Sequence, residues 1–258
     1  MLTYMILSGL ATGLLLGLMG SGGAIVTVPA LIYLLHVEPK SAIAMSLGII
    51  AITATIAAVQ SWRQGNVNLR VTLTFGIVGA VGTFIGARLG VILPVVFQLT
   101  LFALVMYAAA WRMLHAQPPR RSLGAAAVGE CESGDCSNFP YLHIARHGLM
   151  VGMLAGVVGV GGGFLIVPAL VLLSGLSMKR AVGTSLSVVA FQSTAGFVGY
   201  AGAVPIDYPL LAGFTSVAVA ACFLGAWIGH RLEAQRLKHG FGVFLVLVAT
   251  YILFKNLM

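Results

Sequence analysis

Apolar residues run along this chain in long blocks, not at the spacing of a half-buried element. The opening block, Met1 to Gly20, is followed by blocks at 24–36, 41–61, 67–92 and 95–114, then by five more at 142–158, 163–174, 181–201, 208–229 and 240–257. About 20 apolar residues are what a helix needs to cross hydrocarbon, and a helix apolar on every side has no water-facing surface. The pattern therefore predicts an all-α polytopic membrane protein. The first block lacks the basic start of a signal peptide and reads as a retained helix. One long stretch is polar: QPPRRSLGAAAVGECESGDCSNFP has the Pro, Gly, Ser and charge density of a linker. It divides the chain into a first transmembrane repeat, 1–115, a cytoplasmic linker, 116–141, and a second transmembrane repeat, 142–258.

The two flanking parts are related by duplication. Laid on each other in one fixed register, with no gap, they pair Gly13 with Gly152, Gly17 with Gly156, Gly20 with Gly159, Gly22 with Gly161, Gly23 with Gly162 and Pro29 with Pro168. Between Gly13 and Leu31, ten of 19 pairs are identical, where this composition would give roughly two by chance. The same register pairs Lys40 with Lys179, Ser46 with Ser185, Thr55 with Thr194 and Gly86 with Gly225.

Composition narrows the class. Hydrophobic residues make up 59% of the chain and charged ones 8%, against about 25% charged in soluble domains, which excludes a soluble globular protein. The net charge of +8 is then a topology signal, and nucleic acid is dropped as a partner. If the first two blocks of each repeat cross the membrane once, the 14 Lys and Arg divide seven against seven. If they turn back, the division is Lys40, Arg88 and Lys255 against the other eleven. The positive-inside rule prefers the second arrangement. It predicts two inverted repeats, each a Gly-broken helical hairpin plus three spanning helices, with the linker in the cytoplasm and both termini outside.

Each repeat carries G-x-x-x-G-x-x-G-x-G-G-x-x-x-x-V-P-A-L, at Gly13 to Leu31 and at Gly152 to Leu170. Glycine this dense should break a helix, and Pro29 or Pro168 suits the first position of a new half-helix. Broken backbone at membrane depth needs protein or a water-filled cavity around it, so both hairpins should meet near the midplane. Free N–H groups at a positive helix end favour an anion. The competing reading is helix packing through small-xxx-small spacing, and it is favoured for Gly13, Gly17, Gly152 and Gly156 individually. The candidate substrate-binding set is Gly20, Ser21, Gly22 and Gly23 with Gly159, Gly161, Gly162 and Gly163. Polar groups on the following segments, Ser46, Thr55, Ser185, Gln192 and Thr194, join it. Back-bonding to their own helices is an even competitor for the hydroxyls.

The doubled hairpin ending in V-P-A-L, with K-x-A-x-x-x-S-L at Lys40 to Leu47 and K-R-A-V-G-T-S-L at Lys179 to Leu186, resembles the TauE/SafE family over nearly the whole chain. The resemblance implies a polytopic transporter of the cytoplasmic (inner) membrane that handles sulfite, an organosulfonate or a related small anion, in two repeats with seven or eight spans. Besides that anion and the lipid bilayer, no partner or cofactor is expected.

Other residues add little. Lys40 and Lys179 could draw anions to opposite mouths, but snorkelling at a surface is the favoured reading. Cys131, Cys136, His143 and His147 have zinc-ligand types at weak spacing, and an incidental loop is favoured over a metal site. Cys222, in an apolar run, reads as inert core. No Asp or Glu lies well inside a predicted span, and no H-E-x-x-H or G-x-S-x-G elbow occurs, so an enzyme is disfavoured. With no buried acid to carry a proton, electrogenic export of the anion is expected. A passive anion channel and a proton- or sodium-coupled importer are the alternatives.

Overall fold

The structure, a computed structural model, describes residues 2–19, 23–115, 141–161, 178–229 and 246–255. Every regular element among them is helical. In chain order they are α1 (Leu2–Met19), α2 (Gly23–Pro29, continued by a π-helical turn at Ala30–Leu34), α3 (Pro39–Arg63), α4 (Leu69–Ile92), α5 (Val95–His115), α6 (Tyr141–Val158), α7 (Met178–Tyr200), α8 (Tyr208–Gly229) and α9 (Val246–Lys255). Three are long and apolar enough to cross a membrane alone: Pro39–Arg63, Val71–Ile92 and Tyr208–Ile228. The 25 residues of α3 reach roughly 37 Å at about 1.5 Å each, beyond a hydrocarbon core of about 30 Å. Leu7, Ile77, Ile92, Leu104, Trp227 and Leu247 are each more than half exposed. An exterior of that kind suits lipid, not water.

Local chemistry sets the helix ends. Pro39 opens α3, where its missing N–H costs nothing. Gly65, at φ +71°, closes it: its N–H bonds the Trp62 carbonyl while the Asn66 N–H reaches back to Ser61. The Asn68 side chain caps α4 by accepting from the Val71 N–H, and Asp207 caps α8 by accepting from Leu210. Asn68 and Asp207 are repeat mates, so the cap itself is duplicated. Pro29 departs from the sequence expectation. It ends the α-helical part of α2 instead of starting a half-helix, and Gly23 occupies the starting position. The chain then widens into the π turn, where the Leu35 N–H bonds the carbonyl of Ala30.

Glycines carry the helix packing. A Cβ on Gly13 would strike the carbonyl of Ala218, and one on Gly17 that of Cys222, so α1 lies directly on the backbone of α8. Their repeat mates Gly152 and Gly156 lie on Gly79 and Thr83 of α4 in the same manner. Gly225 against Leu14 and Gly86 against Met153, a further pair of repeat mates on a further pair of repeat mates, complete the set. These contacts bear out the packing reading of Gly13, Gly17, Gly152 and Gly156.

The same contacts give directions. Residue numbers rise together along α1 with α8 and along α6 with α4, so each of those pairs is parallel. On α3 and α7 they run oppositely: Gly48 meets Phe197, Gly196 meets Leu47, and Gly183 meets Ser61 and the Asn66 carbonyl. Hence α7 starts where α3 ends. Because α6 runs parallel to α4, which also starts there, α6 and α7 begin at one end of the bundle.

Candidate functional site

The turn after α6 is built by glycine. Gly159 and Gly161 take φ of +79° and +64°, a region that strains any side chain, and the Val160 N–H folds back to the Ala155 carbonyl at 3.3 Å. Helix α6 therefore stops inside the bundle. Ser46 of α3 holds the stop from the other repeat, its hydroxyl 2.6 Å from the Gly159 carbonyl and 2.8 Å from that of Ile43. Gly159 packs on Ile43 in the second turn of α3, and two residues later Gly161 faces Ile50 near its middle. The chain has reversed within the membrane-length part of the bundle.

Beside Gly161 lies the Ser193 hydroxyl, which a Cβ there would strike. Ser193 and Gln192 are both fully buried, at 0% exposure. Neither the serine hydroxyl nor either atom of the glutamine amide has a hydrogen-bond partner among the described residues. The amide lies against the backbone of Gly79 on α4. Unpaired buried polar groups cost about 1–3 kcal/mol each; of these two, Ser193 lies beside the broken backbone and Gln192 faces α4. All of these donors are neutral. They can orient an anion and release it, whereas a buried lysine would hold it tightly.

The other expected site residues fall into three groups. Ser185 donates to the Val182 carbonyl at 2.8 Å, Thr55 to Ala51 at 2.6 Å and Thr194 to Ala190 at 2.7 Å, so these hydroxyl hydrogens are spent on their own helices. Thr55 and Thr194, although repeat mates, meet only in a shallow, mostly apolar groove of about 340 Å³, shared with Gly48, Phe197 and Leu211. Gly23 is buried against the Thr12 carbonyl and Leu16 of α1, a packing contact. Gly20, Ser21, Gly22, Gly162 and Gly163 lie outside the described residues, as do Cys131 and Cys136.

Lys40 stays away from the break. Its ammonium donates to the Val91 carbonyl at 2.7 Å and so caps the end of α4, where carbonyls lack helical partners. Arg88 stacks on Phe84 with 5.6 Å to the ring centroid. His36 is exposed, at φ +53°, where the π turn ends.

Sequence reasoning missed a second polar cluster below the turn. Gln98 of α5 and Tyr200 of α7 are buried together against the last carbonyls of α6, Gly156 and Val157. A lone Gln in the apolar run of α5 was the available signal, since a buried amide needs partners.

The family described as Sulfite exporter TauE/SafE matches residues 5–252. A "Probable membrane transporter protein" of Xylella fastidiosa (strain Temecula1) is 28% identical over 254 residues, covering 96% of this chain and 94% of that protein. The "Probable membrane transporter protein YdhB" of Bacillus subtilis is 27% identical over 226 residues, 88% and 89% of the two chains. A similarly named protein of Haemophilus influenzae is 27% identical over 270 residues, 97% of each. No solved structure matches. With a family match over nearly its full length and a bundle exterior suited to lipid, the chain is a multi-pass membrane transporter that belongs to the TauE/SafE family.

Proposed function

We propose that this transporter exports a small oxyanion, sulfite or an organosulfonate, across the cytoplasmic membrane, binding it where α6 breaks between the two repeats. The observation that carries the reading is the Ser193 hydroxyl, buried beside the left-handed Gly161, with the Gln192 amide next to it in sequence and facing Gly79 of α4; neither has a partner among the described residues. Oxyanions accept hydrogen bonds from such donors and tolerate close backbone approach at glycine. The family's description, Sulfite exporter, supports the same ligand class. In this reading Gly159 and Gly161 frame the site, and Gly20, Ser21, Gly22, Gly162 and Gly163 are proposed to join them in contacting the anion. Ser46 positions the turn, while Thr55, Ser185 and Thr194 line the helices around it.

We further propose that the halves are inverted. Support comes from the antiparallel α3 and α7 and from the matched pairs, α1 on α8 and α6 on α4, whose glycine contacts recur in the register of the repeat. The charges agree. Lys40 caps the end of α4, Arg88 lies in the last two turns of that helix, and the Lys255 ammonium sits 4.6 Å from the ring of Tyr33, which precedes α3. All three mark the end of the bundle opposite Arg63 and Arg180, at the end of α3 and the start of α7. The positive-inside rule then puts the linker in the cytoplasm and the termini outside.

Direction follows from charge. A potential of about 100 mV, inside negative, is worth about 2.3 kcal/mol per elementary charge and drives an anion outward with no coupling ion. The test uses purified protein. Sulfite or a sulfonate should raise the melting temperature above carboxylates and chloride. In proteoliposomes, anion flux should follow an imposed potassium-diffusion potential without a pH or Na⁺ gradient. Flux that ignores voltage and requires either gradient overturns the uniport, and stabilisation by carboxylates alone overturns the ligand class.

A further inference from the structure

Resting on the proposed site at the α6 break, we infer that Gln98 and Tyr200 are positioning residues that close the site on the side opposite the linker. Four helices meet in their cluster. Tyr200 is the last residue of α7, Gln98 lies in the first turn of α5, Gly90 in the last turn of α4, and Gly156 and Val157 in the last turn of α6. The cluster therefore sits between the broken helix end and the face of the bundle where Lys40 caps α4. Both side chains are buried there: Tyr200 is 0% exposed and Gln98 1%. Gly90 makes room for the phenol, because a Cβ there would strike the Tyr200 hydroxyl.

The bonds within it are poor for a permanent support. The Gln98 amide nitrogen is 2.8 Å from the Gly90 carbonyl, but 3.2 Å from both the Val157 carbonyl and the Tyr200 hydroxyl. The Tyr200 hydroxyl stands 3.3 and 3.4 Å from the carbonyls of Gly156 and Val157. These lie at or beyond the long limit of good hydrogen bonds, and the Gln98 amide oxygen has no partner among the described residues. Ser46, by contrast, holds Gly159 at 2.6 Å. A buried polar cluster with stretched bonds and a spare acceptor opens at lower cost than an apolar plug, since water can satisfy every member once it enters.

Duplication supplies a control within the molecule. In the register of the repeat, Tyr200 corresponds to Ser61, Gln98 to Leu237 and Gly90 to Gly229. The glycine is shared, yet the phenol and amide have no counterpart at the corresponding positions of the sequence. Packing alone does not call for that difference. One closed side with a weak latch is what a carrier needs to present its site first to one compartment and then to the other.

The experiment needs no knowledge of the substrate. Val158, buried at the end of α6, is replaced by cysteine in the full-length protein after Cys131, Cys136 and Cys222 are changed to serine or alanine. Labelling by a membrane-impermeant thiol reagent is then timed from the side opposite the linker, with the linker side fixed by labelling Cys131 in a separate single-cysteine variant. Tyr200→Phe and Gln98→Leu should each speed labelling of Val158→Cys at least tenfold, and the wild-type pair should keep it slow. Phe214→Leu, a change on α8 in the separate core cluster with Leu31, Met45 and Leu211, should leave the rate within twofold. Unchanged labelling in both cluster variants, or equal acceleration by Phe214→Leu, overturns the closure. If labelling accelerates as expected while sulfite neither binds nor moves, the closure stands and the ligand assignment fails.

Discussion

Helices α3 and α7 descend from one ancestral segment and pack on each other, but they differ in the buried polar groups at their middles. Thr53, at the middle of α3, spends its hydroxyl on the Ile49 carbonyl at 2.6 Å, and the next residue is Ala54. At the corresponding positions α7 has Gln192 and Ser193, buried with no partner among the described residues. At these positions α3 is thus the satisfied copy and α7 the unsatisfied one, although Ser41 at the start of α3 also has no partner among the described residues. Two copies of a scaffold can share packing glycines, as Gly13, Gly17 and Gly86 match Gly152, Gly156 and Gly225, and still differ in their buried polar groups. A fold with two similar halves need not have a site with two similar halves.

The shared part of the comparison is tested by its glycines. Gly13→Val and Gly152→Val each drive a side chain into the backbone of a neighbouring helix, at Ala218 and Gly79. Each should cost about 3 kcal/mol or more, the upper range for overpacking, and leave little folded protein by size-exclusion of the detergent extract. Near-equal losses are expected, because the two contacts are copies. One variant that folds normally while the other fails would break the shared-scaffold half of the comparison.

The differing part is tested on the donors. Gln192→Leu should weaken anion binding about 100-fold, roughly 2.7 kcal/mol, in a titration of ligand-induced melting shifts. Ser193→Ala should weaken it about tenfold, in line with one hydrogen bond to a charged ligand. Ligand-free stability should stay level or rise, because each change removes a buried polar group that has no partner among the described residues. Thr53→Val, at the mate of Gln192, should leave affinity within twofold. Equal losses from Gln192→Leu and Thr53→Val would return the site to two-fold symmetry.

The sequence reveals the scaffold better than the site, and the residues show why. The glycine pattern at Gly13 to Leu31 and Gly152 to Leu170 is a local signal, so the break at Gly159 and Gly161 and the packing at Gly152 and Gly156 are legible from the spacing of residues alone. Basic residues at helix ends are equally local. What the sequence cannot reveal is where a hydroxyl hydrogen goes. Ser46 and Ser185 look alike in the repeat, yet Ser46 reaches across 113 residues to Gly159. Gln98 and Tyr200 lie 102 residues apart, and only the folded bundle brings them together. Pro29 misleads for a related reason: helix α2 tolerates it by widening into a π turn.

Ser46 and Ser185 give a smaller effect of the same asymmetric kind. Ser46→Ala removes the tie on Gly159 and leaves a buried carbonyl short of a partner, which should lower stability by about 1–2 kcal/mol. Among the described residues Ser185 bonds only within α7, and Ser185→Ala should cost about 0.5 kcal/mol or less. Paired thermal melts in the same detergent separate the two. A larger loss from Ser185 would mean that its hydroxyl holds something besides Val182.

The smallest effect is expected at the most symmetric pair. Thr55 and Thr194 are repeat mates and share one groove, so symmetry alone would make them partners in binding. Their hydrogens, however, already go to Ala51 and Ala190 at 2.6 and 2.7 Å, and the groove around them is mostly apolar. Turning either hydroxyl toward an anion would break a good internal bond to make another, a near-even exchange. Valine has the same branched shape and no hydroxyl. Thr55→Val and Thr194→Val should therefore change both flux and stability by less than about 0.5 kcal/mol, roughly twofold. A tenfold fall in flux from either, with folding intact, would mean that the anion passes through this groove on its way across. The symmetric pair would then be the site, and the contrast between α3 and α7 would belong to stability instead of transport.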